Sequence, residues 1–171
     1  MIELRTPRLT LRPWIDEDEP AMAAINRDPE VGRFLNRPVE EAVVEGFFAM
    51  IADHWATHGF GPWAVEYEGR FVGFAGLAHL PPFLADAGPG PELGWRLDPA
   101  VWGRGLATEA AVAARDDAFG RLALGELISI IHPENARSQR VATKLGMRLC
   151  RQIHNPVLDR DVEVWHAHPL R

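Results

Sequence analysis

The amino-acid sequence predicts an α+β domain, a mixed α/β sheet flanked by helices, on three observations. Period-two or short β-rich runs interleave with runs of helical period in the order β-α-α-β-β-β-α-β-α-β-β. That order is neither a regular βαβ repeat nor a set of separate helical and strand halves. A hairpin signal at Glu68-Gly69 makes the first half antiparallel, and a strand–helix–strand unit follows it.

Each element has a local cause. Arg8–Trp14 (RLTLRPW) alternates apolar and polar residues, the pattern of a half-buried strand. The acids of DEDEPAMAAINRD suit a helix N-terminus, after which Ala21, Ala24 and Ile25 share one side. Val39, Val43, Phe47, Ile51 and Trp55 recur every four residues, with Glu40 and Glu41 in the first turn and Gly59 just past the end, which predicts a long helix. Gly61–Leu80 reads as two antiparallel strands, and Pro81–Pro91, rich in Pro, Gly and Ala, as a surface loop. Glu92–Pro99 is a strand, Gly105–Leu122 a helix, Gly125–Pro133 a buried strand and Asn135–Met147 a capped helix. Arg148–Ile153 and Asp161–His166 close the chain as strands.

The 171 residues are 47% hydrophobic and 25% charged, the composition of an ordinary globular domain, so one domain over residues 1–171 is expected. A net charge of −6 disfavours a nucleic-acid partner and requires any anion site to be local. The single cysteine, Cys150, rules out an internal disulfide and a cysteine-based metal cluster. MIELRTPRLTL lacks a signal-peptide h-region and no apolar run reaches membrane-spanning length, so a cytoplasmic protein without a membrane partner is expected.

The chemistry concentrates in WGRGLATEA, Trp102 to Ala110, where two glycines and an arginine stand at the mouth of a helix. Backbone N–H groups of the Gly103–Thr108 segment lie in the first turn, aligned with the positive end of the helix dipole and suited to a pyrophosphate. Arg104 adds a cationic fork in the same place. A Walker A loop is excluded by the missing Lys and the spacing. A dinucleotide fingerprint fits Gly103 and Gly105 but meets Thr108 at the third glycine, which counts against a nicotinamide-binding protein. Downstream, HPENARSQRVATKLGM places Asn135 at an N-cap, Ser138 three residues on and Gly146 at the helix end. Taken alone, Asn135 and Ser138 read as capping residues.

Together, ELGWRLDPAVWGRGLATEAA and HPENARSQRVATKLGM resemble the GCN5-related N-acetyltransferase (GNAT) superfamily, in particular its branch that acetylates ribosomal-protein N-termini. The element order fits from Arg8 to His166. The resemblance implies an acyl-CoA N-acyltransferase fold with splayed central parallel strands, opening as a V between Glu92–Leu97 and Glu126–His132. It implies acetyl-CoA as donor, direct acetyl transfer to a primary amine in a ternary complex, and monomers or homodimers. The Q/R-x-x-G-x-G/A signature, which wraps the pyrophosphate, here reads Trp102, Gly103, Arg104, Gly105, Leu106, Ala107. Its first position is Trp rather than Gln or Arg, so the backbone cradle is implied and a side-chain contact from Trp102 is not. Trp95, Arg96 and Leu97 correspond to the strand whose backbone pairs with the pantetheine arm. Asn135 matches a residue near that arm, Ser138 one within reach of the thioester sulfur, and Glu92 an acid that deprotonates the amine, directly or through water.

A carboxylate at the groove suits this chemistry because the attacking amine must be neutral. The oxyanion needs an N–H donor, expected in the Glu92–Leu97 strand, and the leaving thiolate needs a proton, expected from Ser138. Cys150, with no base beside it, reads as a buried structural thiol. His54/His58 and His166/His168 have ligand-like spacings but no third ligand with supporting spacing, so no metal is expected. The resemblance implies an acceptor pocket between the early helices, the strand-rich centre and the closing hairpin, around which Phe34, Leu35, Trp63, His79, Phe83 and Trp165 are expected, for an amine such as a peptide N-terminus, a polyamine or an aminoglycoside. The competing reading is a non-catalytic acyl-CoA-binding or regulatory domain that keeps the loop and transfers nothing.

Overall fold

The strands are β1 (Leu4–Arg5), β2 (Leu9–Arg12), β3 (Pro62–Tyr67), β4 (Arg70–Ala78), β5 (Glu92–Leu97), β6 (Leu127–Ile131), β7 (Arg148–Asn155) and β8 (Arg160–Ala167). The helices are α1 (Asp18–Arg27), α2 (Pro29–Gly32), α3 (Glu41–His58), α4 (Leu106–Gly120) and α5 (Ala136–Lys144). The computed structural model describes the backbone of residues 2–34 and 41–169, and the side chains of 2–34 and 48–169. Among the described residues the strands form one sheet in the order β1-β2-β3-β4-β5-β6-β8-β7. Every neighbouring pair is antiparallel except β5 and β6.

Local chemistry sets this arrangement. Glu68 (φ 51°) and Gly69 (φ 73°) both take the left-handed conformation that matches a two-residue hairpin to the strand twist, which joins β3 to β4. The buried Asp18 accepts both arms of Arg12, at 2.7 and 2.9 Å, and the Ile15 N–H at 3.0 Å, which holds the start of α1 against β2. Leu106, Ala110, Ala111, Ala114 and Ala118 are the buried residues of α4, so the helix lies close on β4 and β5. Leu11, Trp55, Trp63, Leu77, Leu93 and Leu127 share the main core with it.

The first predicted strand shortens to Leu9–Arg12, ending before Pro13, which cannot donate to a ladder. The two-residue β1 and the four-residue α2 are too short to show a period; α2 begins where Asp28 caps the Glu30 N–H at 2.8 Å with Pro29 next. Ile51 and Trp55 are buried on α3 as predicted. Val39 lies outside the described residues, as do the side chains of Val43 and Phe47. The Pro81–Pro91 loop contains a 3₁₀ turn at Pro82–Ala87 that buries Leu84 and Ala87. Cys150, expected to be buried, is exposed, because β7 is the outermost strand and most of its residues face solvent. No helix among the described residues is long and apolar enough to cross a membrane.

Candidate active site

The parallel pair β5 and β6 is joined at Glu92 and Ile128, with Ile128 N–H donating to Pro91 C=O at 3.0 Å. A continued parallel ladder would next send the Ile130 N–H to the Leu93 C=O. Instead the Ser129 hydroxyl donates to the Leu93 C=O at 2.6 Å, and the Ile130 N–H lies near enough to the Glu92 carboxylate to favour its charged form. The Ser129 side chain thus stands in for a ladder bond, and the strands part beyond it.

The parting exposes a defined set of backbone groups. Asp98 N–H donates to Val72 C=O at 2.8 Å, so by antiparallel alternation Arg96 and Gly94 also face β4, while Leu93, Trp95 and Leu97 face the opening. Ser129 occupies the Leu93 C=O, and the Trp102 indole donates to the Leu97 C=O at 2.7 Å. Trp95 therefore directs its N–H and C=O into the cleft.

At the other end of the opening stands the glycine loop. Gly103 and Gly105 have φ of 76° and 78°, a conformation that costs other residues about 1–2 kcal/mol. A Cβ on Gly103 would meet nothing within 4 Å, so the loop presents bare backbone to open space. The first bond of α4 runs from Glu109 N–H to Gly105 C=O at 3.0 Å, which leaves the N–H groups of Leu106, Ala107 and Thr108 without a partner inside the helix. Arg8 holds the loop from behind, donating to Arg104 C=O at 2.9 Å while its Nε and main-chain N–H hold Glu109 at 2.7 and 2.9 Å. That pairing, with a Thr6 bond, keeps the Glu109 carboxyl below its ordinary range despite partial burial.

One cavity of about 800 Å³ joins the two ends. Its lining includes Glu92, Trp95, Arg96, Leu97, Trp102, Gly103, Gly105, Leu106, Ala107, Thr108, Asn135 and Ser138, so the fold brings together all the sequence-predicted site residues except Arg104. Arg104 is exposed outside that lining, and its carbonyl serves Arg8. Besides Arg96, the cations at the wall are Arg137, Arg140 and Lys144, on one side of α5 at helical spacing. Arg137 stacks 4.5 Å over the Trp102 ring, which gives Trp102 two structural contacts in place of the polar side chain at that motif position.

Desolvation in the cleft pushes the Glu92 carboxyl up to about 7, against the opposing pull of Ile130 N–H and Arg96. The same burial brings Arg96 down to about 10, with Glu92 opposing. Arg96 donates to Asn26 Oδ1 at 2.7 Å and lies 5.3 Å over the Phe74 ring. Asn135 is the N-cap of α5, accepting the Ser138 N–H at 3.1 Å, and this bond fixes Ser138 at the cavity wall.

The expected acceptor-side aromatics divide. Phe34 lines the cavity. Trp63 does not, being fully buried against Trp55 with its indole on Ile2 C=O at 3.1 Å. His79 packs on His54 and His58, Phe83 is exposed on the 3₁₀ turn, and the Trp165 indole donates to Glu163 at 2.9 Å. Leu35 lies outside the described residues.

Residues 8–148 match the family described as the acetyltransferase (GNAT) domain. The chain belongs to the GNAT acetyltransferase family. Members of this family are acyltransferases that draw on acetyl-CoA. The FsC-acetyl coenzyme A-N(2)-transacetylase of Aspergillus fumigatus is 31% identical over 153 residues, 84% of this chain; the chain spans 64% of that relative's length. The crystal structure of an acetyltransferase from Agrobacterium tumefaciens str. C58 superposes with a TM-score of 0.86 at 33% identity, covering 99% of this chain and 95% of its own. RimJ from Mycobacterium smegmatis, in complex with CoA-disulfide, shares the fold at a TM-score of 0.76 and 21% identity, covering 98% and 86%. The GNAT fold with its mixed sheet is thus the one the sequence predicted.

Proposed function

We propose that this GNAT protein transfers the acetyl group of acetyl-CoA directly to a primary amine bound beside it. The observation that carries the reading is the single cavity running from the glycine loop to Glu92, along the unpaired edge of β5. The bare loop and the free N–H groups of Leu106, Ala107 and Thr108 suit a pyrophosphate, with Arg137, Arg140 and Lys144 adding positive charge. Trp95 offers one N–H and one C=O to an amide-bearing arm, as a neighbouring strand would.

The acetyl donor supplies a thioester carbonyl, and this chain's residues manage the protons. Glu92 takes a proton from the amine, directly or through water; its pKa near 7 lets it be both ionised and basic near neutrality. An N–H of the β5 edge, Trp95 or Leu97, stabilises the oxygen as the N–C bond forms and the C–S bond breaks. Ser138 then donates a hydrogen bond to the departing thiolate, which takes its proton from solvent while Glu92 releases the one taken from the amine. The acceptor is a protein N-terminus or a small-molecule amine, which the acidic chain attracts in its cationic form.

The test is thiol release from acetyl-CoA across peptides, polyamines and aminoglycosides, with mass spectrometry of the products. One class gains a single acetyl mass, and Glu92→Gln or Ser138→Ala slows its release. Tight acetyl-CoA binding without turnover on any amine would instead establish a non-catalytic module.

A further inference from the structure

Away from the cleft, two clusters among the described residues each gather three metal-ligating side chains. His54, His58 and His79 form the first. There the buried His54 has both ring nitrogens engaged, Nδ1 with Phe60 C=O at 2.8 Å and Nε2 with the His79 N–H at 2.9 Å. It is a satisfied core histidine with no lone pair to give.

Glu126, His166 and His168 are arranged differently. His166 Nε2 faces Ala87 C=O at 3.2 Å, and His168 Nδ1 faces Gly125 C=O at 3.2 Å. A carbonyl only accepts, so each of these nitrogens carries the hydrogen. That fixes the outward nitrogen of both rings by a backbone carbonyl, the arrangement that orients histidine toward a metal. The opposite nitrogens, His166 Nδ1 and His168 Nε2, approach the same carboxylate oxygen, Glu126 Oε1, at 2.5 and 3.8 Å.

The sheet register builds this meeting. β6 and β8 pair Leu127 with Ala167 and Ile128 with His166, so Glu126 stands opposite His168 and diagonal to His166. His166 near the end of β8 and His168 one residue past it both reach toward Glu126 on one face. Gly88, at φ 143°, passes this face with no side chain; a Cβ there would come within 3.3 Å of the His166 ring and 3.8 Å of Glu126. The third ligand that spacing did not reveal in the sequence lies forty residues before His166.

We propose that Glu126, His166 and His168 form a site for a divalent transition-metal ion of the zinc type. Two imidazoles and a carboxylate are a donor set zinc accepts, and tetrahedral ligand atoms about 2.0–2.2 Å from the ion stand about 3.3 Å apart. The three donor atoms here lie within 4.8 Å of one another, so modest side-chain movement closes the set. The His168 side chain is 64% exposed against 11% for His166, so the fourth position opens toward solvent on the His168 side. The ion displaces the proton shared by His166 and Glu126 and ties the start of β6 to the end of β8, while His166 Nε2 keeps its bond to Ala87 C=O.

The experiment titrates the untagged full chain with Co²⁺, reading visible d–d absorption, and follows with Zn²⁺ displacement. The expected result is saturable binding of one Co²⁺ per chain, displaced by Zn²⁺, with affinity rising between about pH 6 and pH 8. The exposed His168→Ala and Glu126→Gln each weaken it by at least about ten-fold, and circular dichroism shows them folded. His58→Ala leaves it unchanged. Absence of saturable binding, binding that persists in His168→Ala, or binding lost in His58→Ala would overturn the proposal.

Discussion

Glu92→Gln separates the stability of the cleft from its chemistry. Burial moves the Glu92 carboxyl from 4.5 up to about 7, so the folded chain holds that proton more tightly than the unfolded chain. Stability from this group is therefore fully present below pH 4.5 and is lost as pH rises through about 7. A difference of 7 − 4.5, about 2.5 units, corresponds to at most about 3 kcal/mol at pH 8, since each unit is about 1.4 kcal/mol. Glutamine keeps the shape and an oxygen for the Ile130 N–H but carries no charge. The variant is expected to melt up to about 6–12 °C above the wild type at about pH 8, at roughly 2–4 °C per kcal/mol, and close to it near pH 4.5. Its acetyl transfer falls by about 10²-fold or more, and the acidic limb of the wild-type rate profile, centred near pH 7, disappears. Thermal melts at the two pH values, paired with thiol-release rates, measure both effects. A variant less stable than wild type at both pH values, or one that keeps the acidic limb, would refute the reasoning.

Three other perturbations probe the walls. Gly105→Ala keeps the fold at a cost of about 1–2 kcal/mol for its φ of 78° and weakens acetyl-CoA at least about ten-fold, because the strained backbone and a Cβ set 3.6 Å from the Arg8 guanidinium shift the N–H groups at the mouth of α4; thermal shift against acetyl-CoA reads both. Trp102→Ala removes the bond to Leu97 C=O and the Arg137 stack, lowering stability by about 2–4 kcal/mol and raising the KM for acetyl-CoA, whereas Trp102→Phe keeps the stack and recovers part of the KM. Ser129→Ala leaves the buried Leu93 C=O unpaired at a cost of about 1–3 kcal/mol, which denaturant unfolding reports; an unchanged midpoint would show that the hydroxyl does not hold the strands apart.

Much of this architecture is written in local signals. Glu68-Gly69 specifies its hairpin, Asn135 its cap and the two glycines their loop, because each acts within a few residues. The strand Glu92–Leu97 and its role in the opening were legible from the motif, yet the agent of that opening was not. Ser129 sits in the apolar run LISII and reads as an ordinary strand residue until β5 lies beside it. Arg8 reaches Arg104 and Glu109 across about a hundred residues, and no pattern in the chain announces that contact. Arg137, Arg140 and Lys144 did carry a signal, a basic face at helical spacing in an acidic protein, which the nearer Arg104 obscured. The family resemblance puts Trp63 and Trp165 around the acceptor; only packing distinguishes a core indole from a pocket wall.

The proposed acetyl-CoA site is the cavity between the glycine loop and Glu92. Calorimetric titration of the full chain with acetyl-CoA tests it most directly. One saturable site per chain, weakened in Gly105→Ala, is the predicted result; no heat of binding together with no thermal stabilisation by acetyl-CoA would contradict it.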